Sequence, residues 1–184
     1  MTTRVVFAHG FTQTARSWDH VIDQLDDLIP TVDACAIDLP GHGAAHDTTA
    51  DLWGAADHLV AAGGPGTYVG YSMGGRAALH AALAHPGAVE RLVLIGATAG
   101  IEQADERAAR RAADERLAEH VEAVGVEAFV DEWLTNPLFA GLDDRSALRD
   151  DRRRNTAAGL AASLRRCGTG TQDPLWDRLD QIAC

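Results

Sequence analysis

The chain has 184 residues, of which 46% are hydrophobic and 23% charged, and its formal net charge is -11. This composition excludes a disordered or low-complexity protein and favours one globular domain with a hydrophobic core. The negative charge argues against nucleic acid and anionic membranes as partners, because both would repel the chain at long range.

The sequence contains no apolar run that approaches the ~18 residues of a membrane span. Residues 1–4 lead directly into a predicted strand, which leaves no room for a signal peptide. The three cysteines are odd in number and lack metal-ligand spacing, which favours free thiols. We therefore expect a cytoplasmic protein with neither a metal site nor a cofactor.

Two apolar strands are predicted in the first part of the chain, and each ends in a polar turn. Residues 4–8 form a nearly continuous apolar run that ends in the turn at 9–12, and residues 32–39 lead into the turn at 40–43. Open α/β sheets build their sites at this carboxyl end of the strands. Each turn contains a histidine, which we expect to shape the turn rather than to transfer protons.

Helices are predicted between and after these strands. Ser17 is predicted to cap a helix over residues 18–25, and apolar residues recur at helical spacing over 52–60. Two further strands, at 67–69 and 91–97, enclose a helix over 77–83. Alternating strands and helices of these lengths indicate an α/β fold with a parallel sheet and right-handed crossovers.

The sequence Gly-Tyr-Ser-Met-Gly at positions 70–74 lies between the third strand and its helix. A Gly-x-Ser-x-Gly sequence in this context is typical of a nucleophile elbow, in which a sharp turn exposes the serine hydroxyl. The two glycines remove side chains that would block the turn. Ser72 is therefore the predicted catalytic residue.

The character of the sequence changes after Gly100. Residues 101–166 contain no convincing strand and are expected to form three or four helices. We therefore divide the chain into the N-terminal part of an α/β core (1–100), a helical lid (101–171) and the start of a return to the core (172–184). About four strands are expected in this incomplete core.

Three motifs together resemble the α/β-hydrolase fold. They are His-Gly-Phe at 9–11, Asp-Leu-Pro-Gly-His-Gly at 38–43 and Gly-Tyr-Ser-Met-Gly-Gly-Arg at 70–76. Within that superfamily the chain resembles the 2-succinyl-6-hydroxy-2,4-cyclohexadiene-1-carboxylate synthases of menaquinone biosynthesis. The segments that carry this finer resemblance are 100–110, 128–133, 136–140, 159–165 and 168–170.

The resemblance implies a lyase rather than a hydrolase. In that family a serine, made basic by a His and Asp pair, removes a proton next to a ketone, and pyruvate is eliminated from a substrate with three carboxylates. The residues that match are Ser72 as the base, Phe11 and Met73 as backbone donors of the oxyanion hole, Arg76, Arg110 and Arg154 as carboxylate ligands, and Tyr71 and Trp133 in the pocket.

The residues alone leave other interpretations open. The three arginines would also suit solvent-exposed helix faces, and Trp133 would also suit a hydrophobic core. A carboxylic-ester hydrolase of the same fold is an alternative function, and it would need no arginines in its pocket. A non-catalytic remnant that binds anionic ligands or a partner is another.

The sequence departs from the family pattern in its catalytic triad. The acidic residue and histidine of an α/β-hydrolase triad follow later strands, but no histidine occurs beyond His120. His80 and His85 lie on the helix that leaves Ser72, about 12 and 20 Å further along it. We therefore expect a C-terminally truncated or split enzyme that is nearly inactive alone. Its fourth strand would be an exposed apolar edge, open to self-association or to a complementing fragment.

Overall fold

Four parallel strands form one sheet in the computed structural model, which describes residues 2–184 except the side chains of residues 144 and 145. The strands are β1 (Thr3–Ala8), β2 (Val32–Ile37), β3 (Gly66–Tyr71) and β4 (Val89–Ile95). Their order in the sheet is β2-β1-β3-β4, and every pair is parallel. The α/β fold with parallel crossovers is thereby confirmed.

Seven α-helices accompany these strands in the described residues. They are α1 (Asp19–Leu28), α2 (Leu52–Gly63), α3 (Met73–Ala84), α4 (Ala104–Trp133), α5 (Asp144–Ala147), α6 (Arg149–Arg152) and α7 (Ala157–Cys167). The predicted cap at Ser17 is wrong. Thr14 instead caps a short 3-10 helix, Ala15–Trp18, and its hydroxyl oxygen accepts from the Arg16 N–H at 3.3 Å. The helix α1 follows this 3-10 helix and begins at Asp19.

The main hydrophobic core lies between the sheet and the helices α2 and α3. Val6 and Tyr68 from the sheet are fully buried there with Leu59 of α2. The face of α3 is made of alanines, among them Ala77 and Ala81, which have no exposed surface. Small side chains let α3 approach the sheet closely, and this helix directly follows Ser72.

A second core joins the helices beyond Gly100. Val121 and Phe129 of α4 pack with Leu160 and Leu164 of α7, and Phe11 at the end of β1 packs against this cluster. The helix α4 is interrupted at Gly125, where φ is 80°. Described residues in the range 101–171 form helices and turns without a strand, as the sequence predicts. This helical segment covers the carboxyl end of β1.

β4 is an edge strand with an apolar surface. The side chains of Val93, Leu94 and Ile95 are 45%, 41% and 43% exposed. The strand therefore presents unpaired backbone groups beside apolar side chains, which is the arrangement that favours edge pairing. No helix in the described part of the chain has both the length and the apolar character needed to span a membrane.

Candidate active site

Ser72 occupies a strained turn between β3 and α3. Its φ and ψ are 52° and -111°, a region that residues other than glycine rarely adopt. A Cβ atom at Gly74 would lie 2.2 Å from the Ala8 carbonyl oxygen, and one at Gly70 would lie 2.5 Å from the Gly74 carbonyl oxygen. Both glycines are therefore required by close backbone contacts, and the turn has the geometry of a nucleophile elbow.

Ser72 opens onto a cavity of about 240 Å³ between the sheet and the helical segment. Six of the eight predicted site residues line this cavity: Phe11, Ser72, Met73, Arg76, Arg110 and Trp133. They come from the end of β1, from the elbow with α3, and from α4. The fold thus brings together residues that are up to 122 positions apart, the separation between Phe11 and Trp133 in the sequence.

Tyr71 and Arg154 do not belong to this lining. The Tyr71 ring packs against the backbone of Gly10, where a Cβ atom would lie 2.8 Å from the ring. Arg154 lines a separate surface groove with Arg16 and His20. The structure therefore places Arg154, which was matched to a carboxylate ligand, outside the cavity that Ser72 lines.

Arg152, rather than Arg154, is the buried arginine of the run at 152–154. Its side chain is buried at the end of α6, with Nε donating to the Ala147 carbonyl oxygen at 2.8 Å. Its Nη1 donates to the carbonyl oxygen of Phe11 at 3.4 Å and to the Thr12 hydroxyl. Sequence reasoning missed this residue because three arginines stand in a row at 152–154, where the helix ends.

Arg76 and Arg110 give the cavity its positive charge. Arg76 is only 7% exposed, and its Nη1 donates to the Cys167 carbonyl oxygen at 2.6 Å. Burial is the main reason why the pKa of Arg76 falls to about 10, so the guanidinium stays charged at neutral pH. Arg110 is about half exposed, and its Nε donates to Oδ1 of the buried Asp114 at 2.8 Å. Two guanidinium groups and one carboxylate leave a net charge of +1.

Comparisons with known proteins agree with this geometry. The sequence profile of the alpha/beta hydrolase family matches residues 5–183. A 2-succinyl-6-hydroxy-2,4-cyclohexadiene-1-carboxylate synthase of an Enterobacter species is 34% identical over 93% of this chain and 68% of its own length. A Bacillus subtilis protein provisionally named as the same synthase is 37% identical over 97% of this chain and 69% of its own length. The structure of MenH from S. aureus has a TM-score of 0.87 and 31% identity, over 99% of this chain and 73% of that one.

The chain belongs to the 2-succinyl-6-hydroxy-2,4-cyclohexadiene-1-carboxylate synthase family. Its fold is that of the α/β hydrolases, and the resemblance drawn from the sequence motifs is confirmed. A thermophilic esterase from Thermogutta terrifontis, at 22% identity and a TM-score of 0.75, shares this fold.

Trp133 forms an aromatic wall of the cavity in this member of the synthase family. Its ring lies edge-on to Phe11, with ring centroids 5.4 Å apart, and stacks on Phe129 at 5.9 Å. The indole Nε1 is buried without a hydrogen-bond partner among the described residues. The side chain therefore offers both an apolar face and an unused donor beside the cavity.

The histidines of this synthase-family chain are engaged elsewhere. His80 Nδ1 lies 2.7 Å from the Arg76 carbonyl oxygen, His85 lies 2.7 Å from Asp57, and His120 Nε2 lies 2.5 Å from Glu132. Within residues 2–184, no described side chain forms a hydrogen bond with the Ser72 hydroxyl. Among the described residues, the Ser72 hydroxyl therefore has no hydrogen-bonded general base.

Proposed function

We propose that this chain binds 2-succinyl-5-enolpyruvyl-6-hydroxy-3-cyclohexene-1-carboxylate and carries the serine that starts the elimination of pyruvate from it, in the menaquinone pathway. The observation that carries the proposal is that Ser72, Arg76 and Arg110 line one cavity. Membership of the synthase family supports the same reaction. A cytoplasmic site for the reaction is part of this proposal.

The proposed reaction begins when a general base takes the Ser72 hydroxyl proton, and the serine oxygen in turn takes the proton from the carbon next to the substrate ketone. The electron pair of that C–H bond forms a C=C bond to the carbonyl carbon, and the π electrons of the ketone move to its oxygen, which gives an enolate. As the enolate collapses, the C–O bond to the enolpyruvyl group breaks, and the leaving group takes up a proton to become pyruvate. Formation of the enolate is the step that most requires stabilisation, because negative charge develops on the ketone oxygen.

Two backbone donors would stabilise that charge. Met73 is the first residue of α3, so its N–H belongs to the helix N-terminus that carries partial positive charge. Phe11 follows β1 and lines the same cavity. Fixed N–H groups that point at the developing charge lower the barrier, and the loss of one such donor typically costs ~10²- to 10³-fold in rate.

Two arginines would hold the carboxylates. A guanidinium group binds a carboxylate through two parallel hydrogen bonds and remains charged when it is buried. Arginine therefore suits a buried carboxylate-binding site better than lysine does. The chain contains 16 arginines and no lysine. Arg76 and Arg110 in the cavity favour a polycarboxylate over a neutral ester as the substrate, which separates this proposal from the ester-hydrolase alternative.

The general base is the part of the apparatus that residues 2–184 lack. A serine without a histidine is a weak base, and removal of the histidine from a comparable unit costs ~10⁶-fold in kcat. In α/β hydrolases the acidic residue and the histidine follow the later strands. We therefore infer that these residues alone bind the substrate and turn it over very slowly.

Pyruvate release tests the proposal directly. The chain would be assayed with the substrate alone, and together with the remaining third or so of the Enterobacter relative supplied as a separate polypeptide. We expect almost no pyruvate from the chain alone and measurable release from the mixture, abolished by Ser72→Ala. Fast release by the chain alone would refute the inferred impairment. Absence of release from both samples would count against the lyase assignment.

Hydrolysis of p-nitrophenyl acetate provides the control for the alternative function. An ester hydrolase would release p-nitrophenol in the mixture at a rate that Arg76→Lys and Arg110→Lys leave unchanged. The proposed lyase would instead lose pyruvate release in both variants, because each removes a two-pronged carboxylate ligand.

A further inference from the structure

The peptide group between Gly10 and Phe11 carries one hydrogen-bond donor and one acceptor that bear on the oxyanion hole. Its N–H belongs to Phe11 and is the proposed oxyanion donor. Its carbonyl oxygen belongs to Gly10 and lies 2.9 Å from His9 Nδ1. Because a trans peptide is planar, its C=O and N–H point in opposite directions. Any group that fixes the direction of the carbonyl therefore fixes the direction of the Phe11 N–H as well.

The partners of His9 define its tautomer. The Leu39 N–H donates to His9 Nε2 at 3.0 Å, so Nε2 carries a lone pair. In a neutral imidazole the proton then lies on Nδ1, where it can be donated to the Gly10 carbonyl oxygen. His9 has no exposed surface, and this burial lowers the pKa of its ring, which keeps it neutral near pH 7. The two hydrogen bonds are therefore mutually consistent.

The ring is anchored by the sheet. β1 and β2 are neighbours, and their register pairs Ala8 with Ile37, so His9 and Leu39 lie just beyond the last paired residues. The His42 ring packs beside that of His9, with centroids 5.0 Å apart. Hydrogen bonding through Nε2 and packing against His42 leave the imidazole little freedom to rotate.

A second donor reaches the same carbonyl oxygen. The Gln13 N–H donates to Gly10 O at 3.1 Å within the turn, and the Gln13 side-chain oxygen accepts from the Gly10 N–H at 3.0 Å. These bonds hold the turn closed but belong to the turn itself, so they move with it. The bond from His9 is different because it ties the peptide to the neighbouring strand.

We propose that His9 is a positioning residue of the oxyanion hole, and that its Nδ1–H holds the Gly10–Phe11 peptide so that the Phe11 N–H faces the Ser72 cavity. The catalytic role of the Phe11 N–H rests on the proposed function, whereas the orientation of this N–H does not. His9 does not line the cavity itself and acts through this peptide.

Two variants separate the two nitrogens of His9. In His9→Asn the side-chain nitrogen lies near the former Nδ1 position and can still donate to the Gly10 carbonyl. In His9→Gln the longer side chain places its oxygen near the former Nε2 position, where it can accept from the Leu39 N–H but cannot replace the Nδ1–H donor. Each variant thus keeps one bond and loses the other, and we expect both to lower the melting temperature.

The residual dipolar coupling of the Phe11 amide measures the direction of this N–H in a weakly aligned, nitrogen-labelled chain. We expect the same coupling in wild type and His9→Asn and a different coupling in His9→Gln. A purely structural role for His9 would lower the melting temperatures and leave all three couplings equal. Equal couplings, or an Asn variant as displaced as the Gln variant, would overturn the proposal.

Kinetics of the complemented chain give an independent readout. His9→Gln should lower kcat for pyruvate release by ~10²-fold and leave KM within about twofold, because an oxyanion donor acts on the transition state. His9→Asn should stay close to wild type. If wild type releases no pyruvate at all, the proposed function fails, but the dipolar couplings still decide the role of His9.

Discussion

Arg76, in the first turn of α3, donates through Nη1 to the carbonyl oxygen of Cys167, the last residue of α7, at 2.6 Å. This bond joins the helix that begins at the nucleophile elbow to the helical segment above it. The guanidinium lies in the cavity wall with its charge only partly used, because a carbonyl is a neutral partner. Arg76 therefore links the two parts of the fold and remains available to a carboxylate.

Replacement of Arg76 by lysine should weaken substrate binding. Lysine keeps the charge but not the planar donor set, so either the bond to Cys167 or the bonds to the carboxylate are lost. We expect the dissociation constant to rise by about 10- to 100-fold, the equivalent of one charge-assisted hydrogen bond. Calorimetry in a Ser72→Ala background measures it without turnover. Arg116→Lys on the exposed side of α4 is the control and should change nothing.

The close contact between β1 and the elbow predicts a large difference between two glycines. A methyl group at Gly74 would lie 2.2 Å from the Ala8 carbonyl oxygen, whereas one at Gly87 would have no heavy atom within 4 Å. Gly74→Ala should therefore lower the free energy of unfolding by about 3 kcal/mol through forced backbone movement. Gly87→Ala should change it by less than about 0.5 kcal/mol. Denaturant titration measures both, and similar values for the two variants would contradict the close contact.

Much of this fold could be predicted from local sequence. Apolar runs gave the four strands, and the glycines around Ser72 gave the elbow, because both signals depend on neighbouring residues alone. Arg152 and Arg154 could not be told apart, since they lie where α6 ends and helical spacing no longer applies. The bond between His9 and Leu39 depends on β2 being the neighbour of β1, a long-range pairing that neither local pattern contains.

His42 predicts an acid-sensitive fold. The ring is fully buried, and this burial, more than the neighbouring His9, lowers its pKa to about 3, whereas a histidine in the unfolded chain titrates near 6.5. Between these values the unfolded state binds the proton and the folded state does not. Stability therefore rises with pH through this window and levels off above about pH 6.5.

The contribution of His42 can be isolated by substitution. When the pH falls from about 7 to about 5, titration of His42 should lower the unfolding free energy of the wild type by about 2 kcal/mol. The His42→Asn variant should not show this loss. His20→Asn, at an exposed position in α1, should follow the wild-type curve. Free energies from urea titrations across this range provide the measurement. Parallel curves for wild type and His42→Asn would show that the ring does not titrate as its burial requires.

The apolar edge of the sheet predicts self-association of the isolated chain. Leu94 is 41% exposed on β4 between two other exposed apolar side chains, and the outer backbone groups of this strand have no partner strand in the described sheet. A lysine on an edge strand opposes pairing because its charge would have to be desolvated at the contact. Leu94→Lys should therefore raise the dissociation constant for self-association by about tenfold or more. Leu28→Lys adds the same charge at a 78% exposed site on α1 and should leave association as in wild type. Sedimentation velocity over a range of concentrations distinguishes the two, and equal behaviour of both variants would place the contact somewhere other than β4.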